Sequence, residues 1–303
     1  MSARSDVTFS SGGERCAAYL YPPVAGLDPA APVPCVVMAH GFSATRDDGL
    51  PAYAEAFAQA GFAALVLDYR HFGSSSGEPR QLLDIRRQQD DYRAAVAFVR
   101  ATPGVDADQV VLWGSSFSGG HVLVVAAGDP RIAAVVAQAP YVDAIPTMRL
   151  IPPKNVLRSA AEGLYDAIGA WLGRPAHYMP AVAPPGGFAV MTQPEAVPGF
   201  ASIAPHGSRW ENRVAARVML ALTFYRPIRH AAKLRMPLLV STCDADQITP
   251  PAAAAAVAER APRGELVRYP YGHFEIYSDP KPKADQVAFL ARHLSTTPAR
   301  AAG

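Results

Sequence analysis

The run Val110-Val111-Leu112-Trp113-Gly114-Ser115-Ser116-Phe117-Ser118-Gly119-Gly120 reads as an apolar strand that stops at a glycine and enters a helix through small residues. A nucleophile carried on so sharp a strand-to-helix turn needs tiny side chains two positions before and after it, because the turn forces those backbones together. Gly114 and Ser118 flank Ser116 in those positions, with Gly119 and Gly120 following. Ser118 stands where the usual G-x-S-x-G pattern has its last glycine. Centring the turn on Ser118 instead would crowd two serine side chains into it, so Ser116 is the candidate nucleophile. The same junction could cradle a phosphate at the helix N-terminus, but neither G-x-x-x-x-G-K-[ST] nor G-x-G-x-x-G occurs, which argues against nucleotide binding.

A serine is a weak nucleophile at its own pKa and needs an adjacent base that is itself oriented by an acid. Two carboxylates, Asp244 and Asp246, follow the apolar run Leu238 to Ser241. They therefore lie at the C-terminal end of a strand, the edge where open α/β sheets bind ligands. The next strand, Glu265 to Tyr269, leads into Gly272-His273-Phe274 at the same edge. Of the eight histidines, His40, His71 and His273 follow candidate strands, while His121, His177, His206, His230 and His293 sit in helices or in the long middle segment. His273 is the candidate base because serine, acid, histidine is the chain order this architecture uses. Both Asp244 and Asp246 fit the role of acid at this stage.

A developing oxyanion needs N–H donors from two places, one just after the nucleophile and one from the loop after an earlier strand. The backbone N–H groups of Phe117 and of Phe42, in His40-Gly41-Phe42, are the candidates, and His40 is expected to shape its loop by side-chain hydrogen bonds. The turn Asp68 to Arg80 ends a further strand at this edge and is expected to be architectural.

The elements that must position these residues alternate. Cys35 to Ala39, Phe62 to Asp68, Val110 to Trp113, Ile132 to Ala137 and Pro237 to Ser241 are short apolar runs of the kind found in strands covered on both faces. Tyr53 to Ala60, Leu82 to Arg100 and Ser118 to Ala127 read as helices between them, Tyr92, Val96 and Val99 recurring at helical spacing. The alternation predicts an α/β fold, a doubly wound and mostly parallel sheet, with Thr8 to Tyr21 as an antiparallel edge hairpin.

After Pro140 the alternation lapses until Pro237. So long a stretch should not be structureless in a compact domain. It is read as an inserted, mainly helical cap at 143–234, dividing a core of residues 1–142 and 235–303. Helices are predicted at Val156 to Leu172 and Asn212 to Tyr225, with a Pro-rich passage from Pro175 to Pro205. Met148, Met179, Met191 and Met219, with Trp171 and Trp210, fall in the cap, and are expected either to pack it internally or to line a pocket against the core. Thr296 to Gly303 reads as a frayed tail.

Composition narrows the function further. The chain has 303 residues, 28 basic and 26 acidic, scattered without a basic stripe, so the footprint of a nucleic-acid binder is missing. No run of about 18 apolar residues occurs, Leu50 to Leu67 being broken by Glu55, Gln59 and Gly61. The first residues lack the apolar region of a secretory signal, which points to the cytoplasm. Cys16, Cys35 and Cys243 form no CxxC pair and are expected to be reduced and buried.

Taken together, His40-Gly41-Phe42, Asp68-Tyr69-Arg70-His71-Phe72-Gly73, Gly114 to Gly120, Asp246 with Pro250, and Gly272-His273-Phe274 make the chain resemble an α/β-hydrolase over nearly all of its length outside the cap. The Asp68 loop is similar to the Y-R-G-F-G-x-S-x-G stretch of serine esterases and dienelactone-hydrolase-like proteins, with His71 in place of the first glycine. The resemblance implies Ser116 as nucleophile, His273 as base and, by the family spacing, Asp246 as acid. An aspartate nucleophile would have suggested a dehalogenase or an epoxide hydrolase; Ser116 argues against both. The implied activity is hydrolysis of a carboxylic ester, thioester or lactone, with no metal or organic cofactor. Acyl transfer or peptide cleavage by the same triad, and a non-catalytic binding role on the same fold, stay as alternatives. The aromatic residues of the cap (Trp171, Phe188, Phe200, Trp210, Phe224, Tyr225) suggest a small-molecule substrate, uncharged and partly apolar, with a medium-sized acyl or alcohol part, and no nucleic acid or membrane span is expected. Assembly into a homo-oligomer is left open.

Overall fold

In the computed structural model, which describes residues 4–294, the strand and helix alternation of the sequence is laid out almost as its apolar periodicity dictates. β1 (Ser5–Ser11) and β2 (Glu14–Tyr21) form the edge hairpin. Then follow β3 (Val33–Ala39), α1 (Pro51–Gln59), β4 (Ala63–Leu67), α2 (Ile85–Arg100), β5 (Val105–Ser115), α3 (Phe117–Ala127) and β6 (Ile132–Gln138). The stretch between β6 and β9 carries α4 (Ala144–Met148), α5 (Pro153–Trp171), β7 (Tyr178–Met179), α6 (Ala196–Ile203), β8 (Val214–Ala215), α7 (Val218–Leu222) and a 3₁₀ turn at Pro227–Lys233. The chain returns through β9 (Leu238–Cys243), α8 (Pro251–Arg260), β10 (Gly264–Tyr269), α9 (Glu275–Ser278) and α10 (Pro280–His293).

Among the described residues, eight strands form one sheet in the order β1-β2-β4-β3-β5-β6-β9-β10, antiparallel at β1-β2-β4 and parallel across the rest. This is the α/β-hydrolase fold that the motifs imply. The central strands are apolar throughout because both faces are covered. Tyr92, Val96 and Val99 of α2, Val122 and Leu123 of α3 and Val257 of α8 bury one face, and Tyr53 and Phe57 of α1 with Phe289 and Leu290 of α10 bury the other. Burying each large apolar side chain contributes roughly 1.5–3 kcal/mol. Cys16, Cys35 and Cys243 are free and buried within these layers, and burial alone pushes the Cys35 thiol up to about 12.

Register decides where chemistry can occur. Ala39 pairs with Gly114, Gly114 with Ala137, and Gln138 with Ser241. The C-terminal ends of β3, β5, β6 and β9 thus fall on one edge, and the loops after them converge there.

The helices depart from the sequence reading at several bounds: α1 and α5 start earlier, at Pro51 and Pro153 rather than Tyr53 and Val156, each with proline in its first turn. α2 begins at Ile85 rather than Leu82, because the Asp84 side chain caps it by accepting the amides of Arg86 and Arg87, an arrangement worth about 1 kcal/mol. The helix expected over Asn212 to Tyr225 is broken up. Val214 and Ala215 pair instead with Met179 and Tyr178 in a small antiparallel ladder. Arg217 is then tied to Asp166 through its amide (2.9 Å) and its guanidinium (2.7 and 3.0 Å), so helix starts only at Val218. Tertiary partners for the backbone win over local propensity. The predicted tail at Thr296 to Gly303 lies outside the described residues.

Candidate active site

β5 runs into α3 through Ser116, whose backbone takes φ 57° and ψ −119°, a region that costs a non-glycine residue on the order of 1–3 kcal/mol. The strain is held by hydrogen bonds on both sides: the Ser116 amide donates to the Gln138 carbonyl and the Tyr141 amide to the Ser116 carbonyl, each at 2.8 Å. A Cβ on Gly114 would stand 2.5 Å from the Ser118 carbonyl carbon, so only glycine fits there. Ser118 is tolerated because its hydroxyl leaves the turn sideways. It lies fully buried, accepting from the Tyr69 hydroxyl (3.1 Å) and meeting the Tyr92 hydroxyl (2.6 Å).

The loop after β9 carries Asp246 and the loop after β10 carries His273. The structure brings both to Ser116: His273 Nε2 lies 3.0 Å from Ser116 Oγ, and His273 Nδ1 lies 2.6 Å from Asp246 Oδ2. The carboxylate of Asp246 also accepts the amides of Ile248 and Thr249, each at 2.7 Å. Burial opposes its charge, but His273 and these donors outweigh burial and hold it below the usual aspartate range. Burial likewise opposes a charged His273, but the Asp246 carboxylate, helped by Glu195, raises it above the ordinary imidazole value. Asp244 faces the other way, half-exposed and paired with Arg268 at 2.8 Å. Sequence reading missed Thr249, whose hydroxyl reaches Asp246 Oδ2 at 2.7 Å. Its position three residues after an aspartate, where local side-chain to amide bonds close, was the available signal.

The loop after β3 completes the edge. A Cβ on Gly41 would approach Ser116 Cβ to 3.0 Å, so this loop lies against the turn. His40 is buried, its Nδ1 bonded to the Gly41 carbonyl oxygen at 2.9 Å, and burial lowers its pKa to about 4. The rings of Phe42 and Phe117 meet edge to face at 5.5 Å. Phe117 opens α3, where the first amides have no partner within the helix.

Ser116 borders two cavities. The larger is lined by Phe42, Phe117, Met148, Val156, Met191 and Met219 among others, with no charged side chain. The smaller is lined by His273, Asp48, Phe200, Ile203, Phe274 and Tyr277 among others. Met148, Met191 and Met219 thus line a pocket, whereas Met179 is buried in the core. The sequence-based grouping of cap aromatics needs correction: Trp171, at the end of α5, and Phe224, in the turn after α7, are 85% and 82% exposed and line neither cavity. Tyr225 is buried but bonds His121 Nδ1 at 2.7 Å beneath Phe117. Among the described residues no cluster of three or more His, Cys, Asp or Glu could hold a metal ion, and no helix is long and apolar enough to cross a membrane.

Comparisons with known proteins agree with this architecture. The family model described as serine aminopeptidase, S33, matches residues 30–281. The chain is 41% identical over 290 residues to the quorum-quenching protein AidA of Acinetobacter baumannii (strain MDR-ZJ06), covering 95% of this chain and 94% of that one. It is 39% identical over 110 residues to the polyketide transferase grgF of a Penicillium species, covering 36% of this chain and 37% of the other. The crystal structure described as the α/β hydrolase GrgF from Penicillium sp. sh18 superposes with a TM-score of 0.82 at 26% identity, covering 96% of this chain and 99% of that chain.

Proposed function

We infer that this chain, which belongs to the serine aminopeptidase S33 family of α/β hydrolases, is a serine hydrolase that cleaves a carboxylic ester, thioester or lactone through an acyl-enzyme on Ser116. The observation that supports this most is the contact chain Ser116 Oγ to His273 Nε2 at 3.0 Å and His273 Nδ1 to Asp246 at 2.6 Å. In this reading His273 takes the Ser116 proton as the oxygen attacks the acyl carbon, and Asp246 holds the imidazolium that results. The Phe42 and Phe117 amides donate to the oxyanion. His273 then returns the proton to the leaving oxygen or sulfur, and water, activated by the same imidazole, releases the acid.

In this reading each cavity takes one half of the substrate. A leaving group must lie beside His273 to receive its proton, and His273 borders the smaller cavity. The acyl part therefore occupies the larger, uncharged one, walled by the segment 143–234, which we read as a cap. The substrate class is a small molecule with an apolar acyl group and a compact leaving group.

Acyl transfer is the second reading, favoured by the relative named as a polyketide transferase. Hydrolysis of p-nitrophenyl esters of rising acyl length by wild type and Ser116→Ala tests the first: the variant should lose on the order of 10⁴- to 10⁶-fold in turnover. Equal turnover in both proteins would remove Ser116 from the mechanism. Product partition toward added alcohols or amines would favour transfer.

A further inference from the structure

We propose that Glu195, in the inserted segment, is a positioning residue whose carboxylate ties together the two loops that carry Asp246 and His273. The proposal rests on the triad reading above. Glu195 Oε1 accepts the amide of Gln247 at 2.8 Å, and Glu195 Oε2 accepts the amide of His273 at 2.7 Å. One of these amides is one residue beyond Asp246 and the other is on His273 itself. A single carboxylate thus fixes, from behind, the separation of the two loops whose side chains must meet at 2.6 Å.

The surroundings are shaped for that carboxylate. A Cβ at Gly272 would stand 2.5 Å from Glu195 Oε2, so a side chain there would displace it. The Gly272 amide turns aside to Glu275 Oε2 at 2.8 Å, leaving the His273 amide to Glu195. Glu195 is the residue at the head of α6. The same helix rests on the histidine loop through Phe200, whose ring lies 5.3 Å from that of Phe274. Polar and apolar contacts together seat α6 on this loop, so seating of the inserted segment and alignment of the triad are one event: lifting α6 away would remove the bridge.

Glu195 also contributes charge. The titratable groups around His273 are Asp246 on the β9 loop, Glu195 at the head of α6, Asp48 and Tyr277 lining the same cavity, and Glu275 on the following turn. Of these, Asp246 and then Glu195 favour the charged imidazole against the effect of burial. Removing the Glu195 charge should therefore lower the His273 pKa.

The test compares wild type, Glu195→Gln and Glu195→Asp. Glutamine keeps the shape and one acceptor, but its amide nitrogen cannot accept the second N–H. In Glu195→Gln, kcat on a p-nitrophenyl ester should fall about 10- to 100-fold with KM nearly unchanged, and the acid limb of the pH profile should move to lower pH. Glu195→Asp, which keeps the charge, should hold the limb near its wild-type position and recover part of kcat. The His273 imidazole, titrated by NMR in the same full-length proteins, reads the same shift without turnover, and so separates failure of this proposal from failure of the esterase reading. A Glu195→Gln protein with the wild-type His273 titration and wild-type kcat overturns the proposal. So does one whose melting temperature drops while the titration stays put.

Discussion

Ser118 Oγ lies 2.6 Å from the hydroxyl of Tyr92, and that contact explains why a serine sits where the turn pattern calls for glycine. Tyr69 donates to Ser118, Ser118 to Tyr92, and Tyr92 to the Trp113 carbonyl at 2.7 Å, so three buried hydroxyls are satisfied in one file. Ser118→Ala leaves the buried Tyr69 hydroxyl unpaired and should destabilise the protein by about 1–3 kcal/mol. Urea unfolding reads this directly. Activity of Ser118→Ala should stay within tenfold of wild type, in contrast to Ser116→Ala; a collapse of turnover as deep as that of Ser116→Ala would mean the wrong serine carries the acyl group.

The raised pKa of His273 has a definite sign in the pH profile. A base must be neutral to take the Ser116 proton, so kcat/KM should fall as pH drops through the His273 pKa. Burial alone would put that limb below the ordinary imidazole value of 6.5; Asp246 with Glu195 raises it above. Asp246→Asn should bring the limb below 6.5 and cost on the order of 10⁴-fold in kcat. An acid limb of the wild-type enzyme below 6.5 contradicts the arrangement.

How much of this was legible beforehand follows from which interactions are local. The turn at Gly114 to Ser118 shows in sequence because steric crowding acts between neighbours. The strands show because two-sided burial leaves unbroken apolar runs such as Val33–Ala39. The choice between Asp244 and Asp246 rested on family spacing alone; their opposite facing comes from Arg268 on β10 and His273 beyond it, partners fixed only by the fold. The stretch between β6 and β9 was least legible. Arg217 interrupts a helix by reaching Asp166, and Glu195 bonds amides more than fifty residues away. Its one sequence mark was being the lone carboxylate between Pro175 and Pro205.

The larger cavity should set acyl-chain preference. Ala160, on α5, lies at its rim with an exposed face, so Ala160→Phe adds bulk there with a stability change of at most about 0.5 kcal/mol. Each methylene it excludes should cost ~0.8 kcal/mol, about fourfold in kcat/KM, while the acetyl ester is unaffected. A parallel loss across all chain lengths would place the acyl group elsewhere.

His121 supplies a stability test. Burial, with a smaller contribution from His40, holds it down to about 3, and its ring is bonded to Tyr225 (2.7 Å) and Gln88 (3.0 Å). Its folded pKa lies below the unfolded value, so its contribution is complete above pH 6.5 and is lost as pH falls toward 3, at about 1.4 kcal/mol per unit. In His121→Gln the slope of unfolding free energy between pH 6.5 and 5 should be shallower than wild type by about that amount. Identical slopes would show that His121 is protonated in the folded protein.

β6 finds its neighbour β9 only across the long stretch between them, Val135 pairing with Leu238 roughly a hundred residues on. Closing a loop of that length costs about 4 kcal/mol of chain entropy, so this pairing forms late, after the locally connected β2 to β6 region. During synthesis, β6 therefore waits with an apolar, unpaired flank while the residues up to β9 are made. A chain stopped before β9 carries Ser116, Phe42 and Phe117 yet lacks Asp246 and His273, and it leaves the flank of β6 that β9 covers as an open strand edge. Expression yield and chaperone demand should track the speed with which residues 235–294 arrive, more than the stability of the finished fold.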